Sequence, residues 1–138
     1  METITEEIFD QKETVASAPH APAQPVADLS NGNGLPTTYP YDEVFKKSTD
    51  YFGGDELAAR VWINKYALKD SHGNIYELTP DDMHRRLAGE IARIESGYKN
   101  SLDIETIYQT LKNFKYIVPQ GGPMSGIGNN FQYGSLSN

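Results

Sequence analysis

The sequence predicts a mainly α-helical unit that passes, near its end, into a short β-like run and a glycine-rich stretch. Apolar side chains recur at three- and four-residue steps in successive blocks between Tyr39 and Phe114. The blocks are separated by helix-ending and helix-starting signals, Gly53-Gly54, Thr79-Pro80 and Gly97. The texture then changes: from Pro119 to Asn138, twenty residues hold five glycines and no charge. Three segments follow from this pattern: a tail over 1–38, a helical unit over 39–114, and a different kind of structure over 115–138.

The tail carries one aromatic residue of the chain's fifteen, Phe9, and Ala16 to Pro36 mixes Ala, Pro, Ser, Asn and Gly. Such a composition buries too little apolar surface to offset the entropy of ordering it. Residues 5–14, around Ile8 and Phe9, suit either a frayed acidic end or a docking peptide.

The first helix starts after Pro40, where Asp42 and Glu43 suit a helix N-terminus, and Val44, Phe45, Ser48, Tyr51 and Phe52 mark one face. A second runs from Asp55 to about Lys69. Its Leu57, Ala58, Val61, Trp62, Ile63, Tyr66 and Leu68 cover so much of the cylinder that it is expected at the centre. Asp70 to Asn74 reads as a turn and Ile75 to Leu78 as a short strand. A calcium loop is excluded there, because Gly73 falls at the fourth position instead of the sixth and no Glu follows at the twelfth.

The third helix has the strongest start, with Thr79 as cap, Pro80 at the first position and Asp81-Asp82 behind it. Met83, Leu87, Ala88, Ile91 and Ile94 form its stripe. The basic run His84-Arg85-Arg86 allows two readings, a contact to phosphate or a partner's carboxylates, or solvated and salt-bridged side chains. A fourth helix is marked by Ile104, Ile107, Tyr108, Leu111 and Phe114. Lys115 to Val118 then reads as a β-like run stopped by Pro119.

Composition narrows the function classes. The 138 residues have 12 Lys and Arg against 19 Asp and Glu, a net charge of -7, with no basic stripe for a nucleic-acid backbone. No apolar stretch is long enough to cross a membrane, and the acidic start is the wrong charge for a leader peptide, so a cytoplasmic protein is expected. The sequence has no cysteine, which excludes disulfides, Cys-ligated metal and thiol chemistry carried by this chain alone.

The glycine-rich stretch reads Pro119-Gln-Gly-Gly-Pro-Met-Ser-Gly-Ile-Gly-Asn-Asn-Phe-Gln-Tyr-Gly-Ser-Leu-Ser-Asn138. Glycines let backbone approach a ligand and aim N–H groups at an anion, and Ser and Asn add neutral donors. Neither a P-loop nor a dinucleotide fingerprint is present, since no Gly-Lys-Ser/Thr follows and Gly126-Ile127-Gly128 lacks its closing glycine. Ligand binding and a purely structural loop both fit this composition.

Three stretches together resemble the start of a ribonucleotide reductase large (catalytic) subunit, most closely the adenosylcobalamin-dependent forms. They are the run from Asp55 to Asp70, the run from Thr79 to Ala88, and Tyr116-Ile-Val-Pro-Gln-Gly-Gly-Pro-Met-Ser-Gly-Ile-Gly-Asn-Asn130 with Ser135-Leu-Ser-Asn138. The resemblance implies that the helices are the family's N-terminal helical domain, and that Tyr116 onward enters its ten-stranded α/β barrel as first strand and substrate loop. It also implies substrate contacts at Gly122, Ser125, Ser137 and Asn138. At Gly122 relatives carry Ser or Thr, so the usual hydroxyl is absent and a backbone N–H or Ser125 would replace it. In the family pattern a redox cysteine follows Ser-Leu-Ser-Asn, and the sequence stops one residue before it.

The expectation from the resemblance is therefore an N-terminal fragment or split piece of the reductase. It would contain no catalytic residue and no metal ligand, be inactive alone, and work with the remaining C-terminal part on a ribonucleotide. Adenosylcobalamin would belong to the complete enzyme. A non-enzymatic helical interaction module is the alternative, and an independent nucleotide-binding regulator a weaker third. If residues 115–118 are a barrel strand, they have no neighbour in the sequence, and the stretch from Tyr116 on is expected to gain order only when the remainder of the barrel is present.

Overall fold

A computed structural model describes residues 36–131. Residues 1–35 of the predicted tail, and Ser137 and Asn138, lie outside them. The helices are α1 (Tyr41–Tyr51), α2 (Glu56–Lys65), α3 (Pro80–Glu95), α4 (Ile104–Leu111) and α5 (Gly121–Gly126), with a 3-10 turn at Lys112–Phe114 between α4 and α5.

The first three helices begin where the sequence placed a start signal, and α4 begins after Asp103, a cap that its apolar pattern left unmarked. The Asp55 side chain accepts from the Ala58 N–H at the head of α2, and Asp103 accepts from the Thr106 N–H at the head of α4. Thr79 and Asp82 form a reciprocal capping box on α3. Gly53 and Gly54, at φ 65° and 97°, carry the chain out of α1 through a conformation that other residues rarely adopt.

The core is built around α3. Met83, Leu87 and Ala88 of α3 pack with Val44 of α1, Trp62 and Ile63 of α2, and Ile107, Tyr108 and Leu111 of α4. Burying a large side chain of this kind stabilises by about 1.5–3 kcal/mol. The expectation that α2 is central is corrected: Leu57 is 72% exposed and Val61 38%, so α2 packs on one side only. The helix also stops at Lys65, short of the expected Lys69. There the chain turns because the Leu68 N–H is taken by the buried Glu77 carboxylate, at 2.7 Å, a bond that competes with continued helix.

The predicted strand at Ile75 to Leu78 is reduced to isolated antiparallel bridges, Ile75 with Tyr39 and with Lys69. Too few residues are paired there for a ladder. Residues 115–118 likewise join no strand among the described residues. The N–H groups of Tyr116 and Ile117 both turn to the Thr110 carbonyl, and the side chains of Tyr116, Ile117 and Val118 are largely exposed.

The glycine-rich stretch departs furthest from expectation. Residues 121–126 form a short helix instead of a loop, and Met124 inserts into the core of the helical unit. This part of the stretch is ordered against the chain's own helices, contrary to the expectation that it would be without partners in this chain. The physical reason is a buried arginine that the sequence pattern treats as a surface group.

Candidate functional site

The local geometry starts at the head of α3. The Asp82 carboxylate accepts from the Leu78 and Thr79 N–H groups, each at 2.9 Å, which fixes the approach of the chain to the helix. Just before this cap lies Glu77, and in the second turn of the helix lies Arg86. Both side chains are buried, and Arg86 Nε donates to Glu77 Oε1 at 2.7 Å. The other carboxylate oxygen takes the Leu68 N–H. Burial pushes the Glu77 carboxyl above its ordinary value, and the Arg86 charge, with the hydrogen bonds from Arg86 and Leu68, pulls against that rise.

The two remaining arms of the guanidinium reach the glycine-rich segment. Nη2 donates to the Met124 carbonyl at 2.8 Å and Nη1 to the Ile127 carbonyl. A planar fork with fixed donors can hold a carboxylate and two carbonyls at once; a lysine ammonium lacks that geometry. The chain passes so close to Arg86 that a Cβ on Gly128 would lie 2.8 Å from Arg86 Cγ, and Gly128 has φ +68°. Glycine is required there on both counts.

Two further contacts back the segment. A Cβ on Gly121 would meet Tyr66 Cε1 at 3.2 Å, so the start of α5 lies against that ring. Phe131 stacks on Tyr76 with ring centroids 4.4 Å apart. The Tyr76 hydroxyl donates to Asp70, whose carboxylate also accepts from the His72 and Asn74 backbone and the Asn74 side chain. These donors, the Asn74 side chain foremost, lower the Asp70 pKa to about 2.

The structure brings two of the four sequence-predicted contact residues together. Gly122 lies in the first turn of α5, and Ser125 follows within the same short helix. The Ser125 hydroxyl points back along the helix, 3.0 Å from the Gly121 carbonyl and 3.2 Å from that of Gly122. Its lone pairs stay able to accept, while its proton is engaged. Asn129 Nδ2 donates to the Ser125 carbonyl and caps the end of the segment. Ser137 and Asn138 lie outside the described residues.

Sequence reasoning marked Arg86 in the basic run, with a salt bridge as one reading, and missed its partner Glu77 and the burial of the pair. The basic run 84–86 divides by face: Arg85 is exposed and pairs with Asp81 on its own helix, Arg86 is buried in the clamp, and His84 is buried against Phe114, ring centroids 4.5 Å apart. Burial lowers the His84 pKa. The available signal was spacing: Arg86 stands three residues after the core residue Met83 and next to Leu87.

Residues 52–125 match the family model of the ribonucleotide reductase all-alpha domain. The match spans more than half of the chain and takes in Glu77, Arg86, Gly122 and Ser125. The chain belongs to the ribonucleotide reductase all-alpha domain family. No curated protein and no solved structure matches it. In this member of the family, α5 is part of the all-alpha unit, and it is Arg86 that fastens the reductase domain's glycine-rich segment to α3. No helix among the described residues is long and apolar enough to cross a membrane.

Proposed function

We propose that this chain is the N-terminal part of a ribonucleotide reductase large subunit and supports ribonucleotide reduction by presenting its glycine-rich segment to the substrate. The observation that carries the reading is the family match over residues 52–125, which includes Arg86 and the first part of the segment that it holds, up to Ser125. The first-turn backbone N–H groups of α5 are the donors that suit the phosphate of a nucleotide, and the Ser125 hydroxyl becomes one on turning from the Gly121 and Gly122 carbonyls. Gly122 and Ser125, and Ser137 and Asn138 beyond them, are then the contacts.

Because the sequence has no cysteine, the thiols that reduce the ribose come from the remainder of the enzyme, and this chain alone is inactive. Its partners are that remainder and the ribonucleotide, and it works in the cytoplasm. Adenosylcobalamin, bound by the complete enzyme, supplies the radical that starts the chemistry. No three His, Cys, Asp or Glu side chains among the described residues are grouped to hold a metal ion, and no contact to the cofactor is assigned to them.

The test is complementation. The full chain and the remainder of the subunit, each alone and then joined, are assayed for deoxyribonucleotide formation with and without adenosylcobalamin, using both diphosphate and triphosphate substrates. The reading predicts turnover only in the joined, cobalamin-supplied sample. Turnover without cobalamin would remove the cobalamin assignment. No turnover in any joined sample would favour a non-enzymatic helical module.

A further inference from the structure

We infer that Arg86 is a positioning residue for substrate binding: through Glu77 and the carbonyls of Met124 and Ile127 it sets where Gly122 and Ser125 stand against a ribonucleotide phosphate. The inference rests on the reading of the glycine-rich segment as the phosphate-facing part of the reductase.

A helix as short as α5, six residues with three glycines and a proline, has too few internal hydrogen bonds to hold its own shape or direction. Its orientation must come from outside. Arg86 supplies it at the far end of α5 from Gly122, by holding the carbonyls of Met124 and Ile127. The guanidinium is itself fixed by Glu77, and Glu77 is fixed by the Leu68 N–H at the end of the α2 connection. A chain of buried, directional contacts therefore runs from the α2–α3 connection through α3 to the glycine-rich segment. None of these groups needs to touch the nucleotide. A shift of the guanidinium would move the segment as a whole, because Gly128 leaves no space between the backbone and the Arg86 stem.

The consequence is separable from stability. A group that only holds the fold together lowers the number of active molecules and leaves KM unchanged, whereas a group that places a binding segment raises KM in the molecules that remain folded.

Two variants approach the clamp from opposite sides. Arg86→Lys keeps the charge but loses the fork, and Gly128→Ala leaves Arg86 intact and crowds its stem. Both are made in the full chain, joined to the remainder of the reductase, and read by KM and kcat for the ribonucleotide; amide hydrogen exchange is read on the full chain alone. The expected result is a KM raised about tenfold in Arg86→Lys and about threefold in Gly128→Ala, with kcat within about twofold. Exchange should be faster at residues 124–129 and unchanged in α1, α2 and α4. A fall in apparent kcat at unchanged KM in both variants overturns the inference while the functional reading stands. Unchanged exchange at 124–129 in both variants also overturns it. A wild-type assembly that reduces no ribonucleotide overturns the functional reading itself and, with it, this inference.

Discussion

Residues 115–118 and residues 121–128 are neighbours in the chain and stand in opposite relations to the helices. The first run is the more hydrophobic, yet Tyr116, Ile117 and Val118 are exposed to 70%, 49% and 66%. The second is rich in glycine, yet Met124 is in the core and the Met124 and Ile127 carbonyls are held by a buried arginine. Hydrophobicity of a short run does not decide which segment docks. What decides is whether the body of the domain offers partners for its backbone. Here α3 offers two arms of a buried guanidinium to the glycine-rich segment, and among the described residues the N–H groups of residues 116 and 117 share the Thr110 carbonyl.

The contrast breaks most completely when the clamp loses one partner. Glu77→Ala leaves the Arg86 charge buried without its carboxylate and should cost about 3–5 kcal/mol, read by urea denaturation of the full chain. Met124→Ala removes the apolar anchor of α5 alone. It should cost about 2 kcal/mol and release exchange protection at residues 124–127 while leaving that of α3 intact.

A pH series probes the other side of α3, where His84 lies under Phe114 at the root of the exposed run. Burial holds the His84 pKa below its ordinary 6.5, with Asp81 opposing the shift. As pH falls below that value the unfolded chain takes up the proton before the folded one does. Stability is therefore full above pH 6.5 and declines below it, by at most about 1.4 kcal/mol per pH unit. The midpoint of thermal unfolding should drop between pH 7 and about 5.5, and His84→Leu should flatten that drop. The smallest effect belongs to the exposed run: Ile117→Ser should change stability by less than about 0.5 kcal/mol.

These sites also mark what could be read from the sequence. The head of α3 was fully legible, because a Thr-Pro-Asp-Asp start and a Met83, Leu87, Ala88 stripe are local patterns and local patterns survive folding. The end of α2 was not. Tyr66, Ala67 and Leu68 continue the apolar pattern, and what stops the helix is a carboxylate nine residues away in sequence. The same applies to the glycine-rich segment, where Gly-Gly-Pro favours a loop and a donor 38 residues upstream helps hold it as a helix. Arg86 was illegible as a clamp because an arginine in an acidic protein has solvent as its default partner. Only its proximity to Met83 and Leu87 on the helix hinted otherwise. Gly122 and Ser125 were named through the family resemblance alone, since the composition of the stretch left both ligand binding and a structural role open.

Residue-resolved hydrogen exchange on the full chain tests most directly whether the glycine-rich segment is an integral part of the reductase's helical domain. The account predicts that the amides of Met124 and Ile127 exchange orders of magnitude more slowly than that of Val118. Equal, fast exchange at all three positions would contradict it.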